Sequence, residues 1–215
     1  MKVILSLILV IGFAISAFSQ GERAPMVEKK IDYEDWTYPN VSTGTDTNLR
    51  KFVRGKKLVM VVYWAPWCPN WKNDAAFVQG LYEKYKGNGF DVIGVGAYDP
   101  VASMKKHIDQ YKLTFPSVYE TEDRNARLTS KHYKYRTAVG DRRKWGTPFY
   151  IFLDGKTPEP TGVIQAETAP VVPGELIKED VEKYIREKLG LPAEKASAEL
   201  EVCEPEKKMT ALVNP

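Results

Sequence analysis

Cysteine is nearly absent from this 215-residue chain: Cys68 and Cys203 are the only two. So few exclude a fold held together by a framework of disulfides. Histidine is equally scarce. His107 and His132 are not spaced as a metal pair, so neither a metal site nor a cofactor is expected. An excess of charge is also missing, since 31 lysines and arginines stand against 28 aspartates and glutamates for a net +3. That balance excludes nucleic-acid or membrane-surface binding driven by bulk charge. No internal repeat is visible, and no stable membrane span is expected once the first residues are set aside.

Those first residues form a distinct segment. Lys2 supplies a positive start, Val3 to Ala17 is an almost unbroken apolar run, and Ala17-Phe18-Ser19 offers small residues for cleavage. Residues 1–19 therefore read as a secretory signal peptide, with the mature chain beginning near Gln20 in the periplasm or outside the cell. Residues 20–47 are polar and turn-rich, and read as an irregular lead-in with Tyr33, Trp36 and Tyr38 as isolated aromatics on the domain edge.

A single domain is expected over residues 48–190. Leu49 and Phe52 suggest a short helix closed by Gly55, and Leu58 to Tyr63 is a valine-rich run apolar on both faces, as in a covered central strand. Trp71, Ala75, Val78, Leu81, Tyr82 and Tyr85 then recur at helical intervals, and Phe90 to Tyr98 reads as a second buried strand. Asp99-Pro100 supplies a cap and first turn for a helix faced by Val101, Met104, Ile108 and Tyr111, leaving His107 on a basic face beside Lys105 and Lys106. Phe115 to Tyr119 reads as a strand, Arg124 to Tyr135 as helical, and 136–146 as a solvated loop. Phe149 to Leu153 is a further strand with Gly162 to Ala166 returning beside it, and Ile177 to Leu189 forms the last helix. Residues 191–215 are polar and rich in lysine and glutamate, a composition expected of a mobile tail. Alternation of strand and helix argues for an α/β domain with parallel strands at its centre.

The chemistry concentrates at Cys68, which sits with Pro69 at a strand-to-helix junction. A sulfur at a helix start meets unpaired N–H groups and the positive end of the helix dipole, which favour a thiolate and hence disulfide exchange. An accessible, partly ionised sulfur is the expectation. Cys203 is open to three readings: a remote resolving thiol, a bridge to Cys68, or a solitary thiol in the tail.

Tyr63-Trp64-Ala65-Pro66-Trp67-Cys68, followed far downstream by Gly146-Thr147-Pro148 ahead of a strand, resembles the thioredoxin superfamily, and within it the extracytoplasmic thiol-disulfide proteins. The resemblance covers about Leu49 to Leu189 and implies a thioredoxin-like fold with a central mixed sheet flanked by helices. It further implies that Pro148 is cis and faces Cys68, and that Thr147 pairs through its backbone with bound peptide. Trp64, Trp67, Pro69 and Trp71 would then border the docked partner, itself a protein or small molecule bearing a thiol or disulfide. Trp71 has an alternative reading as a packed core residue. The chain departs from the dithiol pattern, because Trp71 occupies the position of the second cysteine in CxxC. Two function classes stay open: exchange through a single cysteine, and a binding module without exchange. Peroxide reduction is the weaker third, since Ala65 stands where such enzymes place a threonine.

Overall fold

A computed structural model describes residues 23–155, 161–165 and 168–192. The leader, the tail from residue 193 and Cys203 lie outside the described residues. In chain order the strands and helices are β1 (Arg23–Ala24), β2 (Val27–Lys30), β3 (Tyr33–Glu34), β4 (Thr37–Pro39), β5 (Asp46–Asn48), α1 (Leu49–Val53), β6 (Leu58–Trp64) and α2 (Pro69–Tyr85). There follow β7 (Phe90–Ala97), α3 (Val101–Tyr111), β8 (Ser117–Thr121), α4 (Lys131–Ala138), β9 (Phe149–Asp154), β10 (Val163–Gln165), β11 (Thr168–Val172), β12 (Glu175–Leu176) and α5 (Lys178–Leu189).

Six strands form a central mixed sheet in the order β2-β11-β9-β6-β7-β8. The β6–β7 and β7–β8 pairs are parallel, whereas β9, β11 and β2 add antiparallel neighbours on the other side. All seven residues of β6 are buried, and their side chains alternate between two cores. Met60, Val62 and Trp64 face one with α2 and α5; Val59, Val61 and Tyr63 face the other, with α1 and the N-terminal segment. Each fully buried valine or leucine contributes about 1.5–3 kcal/mol, so a strand covered on both faces is a main source of stability. In β7 two glycines make room for their neighbours. A Cβ on Gly94 would stand 2.8 Å from Trp64 Nε1, and one on Gly96 would stand 2.6 Å from Met104 Sδ.

The lead-in is not irregular. Its β2 is an outer strand of the main sheet, β3 pairs with β10, and Asn40 bridges to Val118 at the opposite edge. Tyr33 is wholly buried rather than peripheral, its hydroxyl 2.7 Å from that of Tyr63 and accepting from Trp36 Nε1 at 2.9 Å. Short polar strands escape a hydropathy reading because backbone pairing, not side-chain alternation, holds them. The partner expected for Phe149 to Leu153 changes for the same reason: β11 lies beside β9, and Val163–Gln165 returns to β3 instead.

Two helical details also differ from expectation. The cap of α3 is Pro100, one residue later than expected, while Asp99 accepts an ion pair from Arg124 at 3.0 Å. The region around 136 is not a solvated loop throughout. α4 extends through it to Ala138, and the Arg136 and Asp141 side chains are each only 2% exposed.

Candidate functional site

The end of β6 delivers Trp64 into the core, after which Ala65-Pro66-Trp67 turns the chain and the Cys68 N–H bonds to Ala65 O at 3.0 Å. Cys68 is the N-cap of α2, with Pro69 in the first turn, so the sulfur stands at the helix start as the sequence implied. From the other side, the Thr147–Pro148 peptide bond is cis, and Cys68 Sγ donates to Thr147 O at 3.2 Å. This brings together residues far apart in sequence.

One expectation fails here. Cys68 is a free thiol but only 5% exposed, so its sulfur is not openly accessible. Because a carbonyl oxygen can only accept, the sulfur in this arrangement carries its proton.

Two of the expected partner-facing residues are also corrected. Trp64 and Trp71 are wholly buried and cannot border a docked molecule. Trp71 donates from Nε1 to His107 Nε2 at 2.8 Å, and His107 stacks on Trp64 and Tyr111 with ring centroids 5.2 and 4.4 Å away. His107, read from sequence as a surface residue, is thus a core residue; burial pushes it down to about 4, so it accepts as the neutral imidazole. Thr147 and Pro148 are buried, and Pro69 is exposed beside the sulfur.

The aromatic surface next to Cys68 is built instead from Trp67 and Trp145, both half-buried, with ring centroids 5.1 Å apart at a steep angle. Trp67 Nε1 donates to Tyr98 O at 3.3 Å, Arg124 lies over Trp67 at 5.3 Å, and Arg127 over Trp145 at 5.6 Å. Sequence reasoning missed Trp145. Its signal was an isolated aromatic in a cationic stretch immediately before Gly146-Thr147-Pro148.

The segment leading to Pro148 is fixed by buried polar contacts. Arg136 donates through Nη1 to Asp141 O at 3.2 Å and Arg143 O at 2.7 Å, and through Nη2 to Lys144 O at 3.4 Å. Arg143 pairs with Asp141 at 2.8 Å and also donates to the carbonyls of Gly146, Thr147 and Pro148 at 3.0, 3.3 and 3.0 Å. Gly146 has φ +70°, and a Cβ there would fall 2.3 Å from Arg136 Cδ, so this position needs glycine.

His132 is buried, and that burial pushes it down to about 3. The neutral ring must then donate from Nε2 to Gly146 O at 3.2 Å, leaving Nδ1 to accept from the Tyr98 hydroxyl at 2.9 Å. Behind the thiol, Asp74 is buried, and burial raises it to about 6 against the donated bonds of Tyr150 Oη at 2.7 Å and Leu176 N at 3.0 Å. Burial, and then the Asp74 carboxyl beside it, hold the Tyr150 hydroxyl well above its usual range. Sequence reasoning did not select Asp74, since a single aspartate in a helix carries no signal of burial.

Among the described residues no group of three or more histidine, cysteine or acidic side chains gathers to hold a metal, and no helix is long and apolar enough to cross a membrane.

Residues 20–175 match the protein family described as Redoxin. The thiol-disulfide oxidoreductase ResA of Geobacillus kaustophilus is 26% identical over 132 residues, which span 61% of this chain and 63% of that protein. ResA of Oceanobacillus iheyensis is 37% identical over a shorter stretch of 60 residues, 28% of this chain and 31% of its own length. Among solved structures, a thiol:disulfide interchange protein of the thioredoxin family from Chlorobium tepidum TLS superposes with TM-score 0.55 at 15% identity, covering 75% of this chain and 98% of that one. A DsbF homologue from Corynebacterium diphtheriae gives TM-score 0.53 at 18% identity, covering 80% and 96%. At these identities the structural likeness concerns the fold, which is thioredoxin-like.

Proposed function

The chain belongs to the redoxin family, and from that premise we propose that it takes part in thiol-disulfide exchange outside the cytoplasm through one active-site cysteine, Cys68. The observation that carries this reading is the placement of Cys68 at the start of α2 with its sulfur against the carbonyl of Thr147, beside cis-Pro148. Disulfide exchange needs a sulfur that can give up its proton and line up with a partner disulfide. Unpaired backbone N–H groups at the helix start favour the negative charge that develops there. Similarity to thiol-disulfide oxidoreductases supports the reaction class, and the apolar leader of residues 1–19 supports export.

The steps balance without a cofactor. Cys68 loses its proton and attacks one sulfur of a partner disulfide, which leaves as a thiolate and takes up a proton. The mixed disulfide on Cys68 is then attacked by a second thiol, and the pair of electrons returns with the departing sulfur. Trp71 fills the place of the usual internal thiol, so the second thiol comes from elsewhere. Trp67 and Trp145 offer an apolar surface on which a partner can rest.

Mass spectrometry of the folded, reduced protein after incubation with oxidised glutathione tests the reading. In Cys203→Ser, where Cys68 is the one remaining cysteine, glutathione should appear on Cys68, and it should be absent once Cys68→Ser is added. Labelling that occurs only in denaturant would remove the exchange function.

The 5% exposure of Cys68, with Arg143 already bonded to three carbonyls of the cis-proline edge, favours a second reading as a binding module without exchange. In that case Cys68→Ser captures partners as well as the parent protein does.

A further inference from the structure

Beside the cis-proline edge lies a cavity of about 360 Å³ bordered by Arg127, Leu128, Arg136, Arg142, Arg143 and Lys144. Among the described residues Asp141 is the one carboxylate on its wall, and it is already paired with Arg143 at 2.8 Å. Leu128 is 51% exposed, so the rim is apolar as well as cationic. Arg143 ties this cavity to the thiol, since it donates to Thr147 O at 3.3 Å and Cys68 Sγ donates to the same oxygen at 3.2 Å. A ligand here should be anionic, with some apolar character, and close enough to reach sulfur.

The chain itself carries a segment of that chemistry. Residues 199–206 read Glu-Leu-Glu-Val-Cys-Glu-Pro-Glu, so Cys203 is flanked by Glu199, Glu201, Glu204 and Glu206 and interleaved with Leu200 and Val202. We infer that this acidic segment docks at the Arg142–Arg143–Lys144 cavity and presents Cys203 to Cys68 as the resolving thiol. The inference rests on the exchange reading above.

Reach permits it. α5 ends beside the far end of α2, where Arg186 Nη1 lies 3.1 Å from Tyr85 Oη. The 17 residues of α2 separate that point from Cys68 by about 25 Å at 1.5 Å per residue. The 11 residues from Pro192 to Cys203 extend to about 36–40 Å. The carbonyl that Cys68 must release also stays satisfied, because Arg143 remains bonded to it.

The reaction balances with a partner disulfide as the oxidant. Cys68 sulfur attacks the partner, forming a mixed disulfide and releasing one partner thiol. Cys203 sulfur then attacks Cys68, releasing the second partner thiol and leaving the Cys68–Cys203 bond. Two protons leave the two cysteines, and the partner disulfide is reduced to two thiols.

The experiment treats the reduced full-length protein with oxidised glutathione at low salt and follows thiol release and peptide masses. The inference expects two glutathiones released per chain and a peptide joining Cys68 to Cys203 within one chain. Cys203→Ser should stop after one release with glutathione held on Cys68. The triple replacement Glu201→Lys, Glu204→Lys, Glu206→Lys should slow the second release about tenfold and leave the first unchanged. High salt should act on the parent protein in the same direction, since it screens the charges. If the parent protein halts with glutathione on Cys68, the tail is not the resolving partner, and exchange through Cys68 still stands. Closure that ignores both salt and charge reversal overturns the docking, and a link between two chains replaces the tail by a second copy. If Cys68 takes up no glutathione at all, the exchange reading and this inference fall together.

Discussion

The indole N–H of Trp71 donates to Nε2 of His107 across 2.8 Å, and both side chains are buried. The tryptophan three residues after Cys68 is thus held by a neutral histidine from the neighbouring helix. Trp71 is a core element, and His107 ties α3 to the start of α2.

Trp71→Cys would create a CxxC spacing with Cys68, yet the expected result is a weaker protein. Truncating a buried tryptophan costs about 3–5 kcal/mol, and His107 loses its donor. Chemical denaturation should show that loss. An NMR titration should find the His107 pKa rising from about 4 toward 6.5 as water enters the space. An unchanged His107 titration would mean that the indole does not control its environment.

Asp74 gives the stability curve a definite slope. Its carboxyl is raised by burial from 3.8 to about 6. Below pH 3.8 folded and unfolded chains both hold the proton, and the group contributes nothing. Between 3.8 and about 6 the unfolded chain ionises first, so stability falls as pH rises, by on the order of 3 kcal/mol in all. Asp74→Asn removes this dependence, and the variant should gain on the parent protein between pH 4 and pH 7. His107 and His132, both lowered by burial, act oppositely, losing stability as pH falls below 6.5, and are common to both proteins. Parallel denaturation curves across that range would rule out the assignment.

Arg136 holds the segment that leads to the cis-proline. Arg136→Met leaves the Asp141, Arg143 and Lys144 carbonyls short of a donor, with an expected loss of about 3 kcal/mol. Alkylation of Cys68 by iodoacetamide should also accelerate, because this segment covers the sulfur through Thr147. Arg136→Lys should not restore either property, as one ammonium lacks the planar fork that reaches three carbonyls. Unaltered alkylation would separate the segment from the burial of the thiol.

The parts of this architecture visible in sequence were those with strong apolar patterning or a strong local signal. β6, α2, β7, β9 and α5 are long and apolar at the expected intervals, and Cys68 and Pro148 stand in distinctive short motifs. The missed features depend on distant partners. β2 is Val-Glu-Lys-Lys, with nothing in its composition to mark a strand, and it exists because β11 offers an edge. His107 looked basic and exposed from its neighbours Lys105 and Lys106, whereas packing against Trp64 of β6 and Trp71 of α2 buries it. The aromatic surface was placed at Trp64 because Trp64 borders the motif, but β6 carries its side chain inward, and Trp145 supplies the outer ring instead.

The N-terminal strand β2 and the Asn40–Val118 bridge lie at opposite margins of the same sheet. Shortening the chain to start at residue 48 would therefore strip both flanks at once. It would leave the hydrogen-bonding groups of β11 and β8 exposed as templates for other molecules. Such a fragment would retain every residue of the cysteine and proline motifs and would still be prone to self-association.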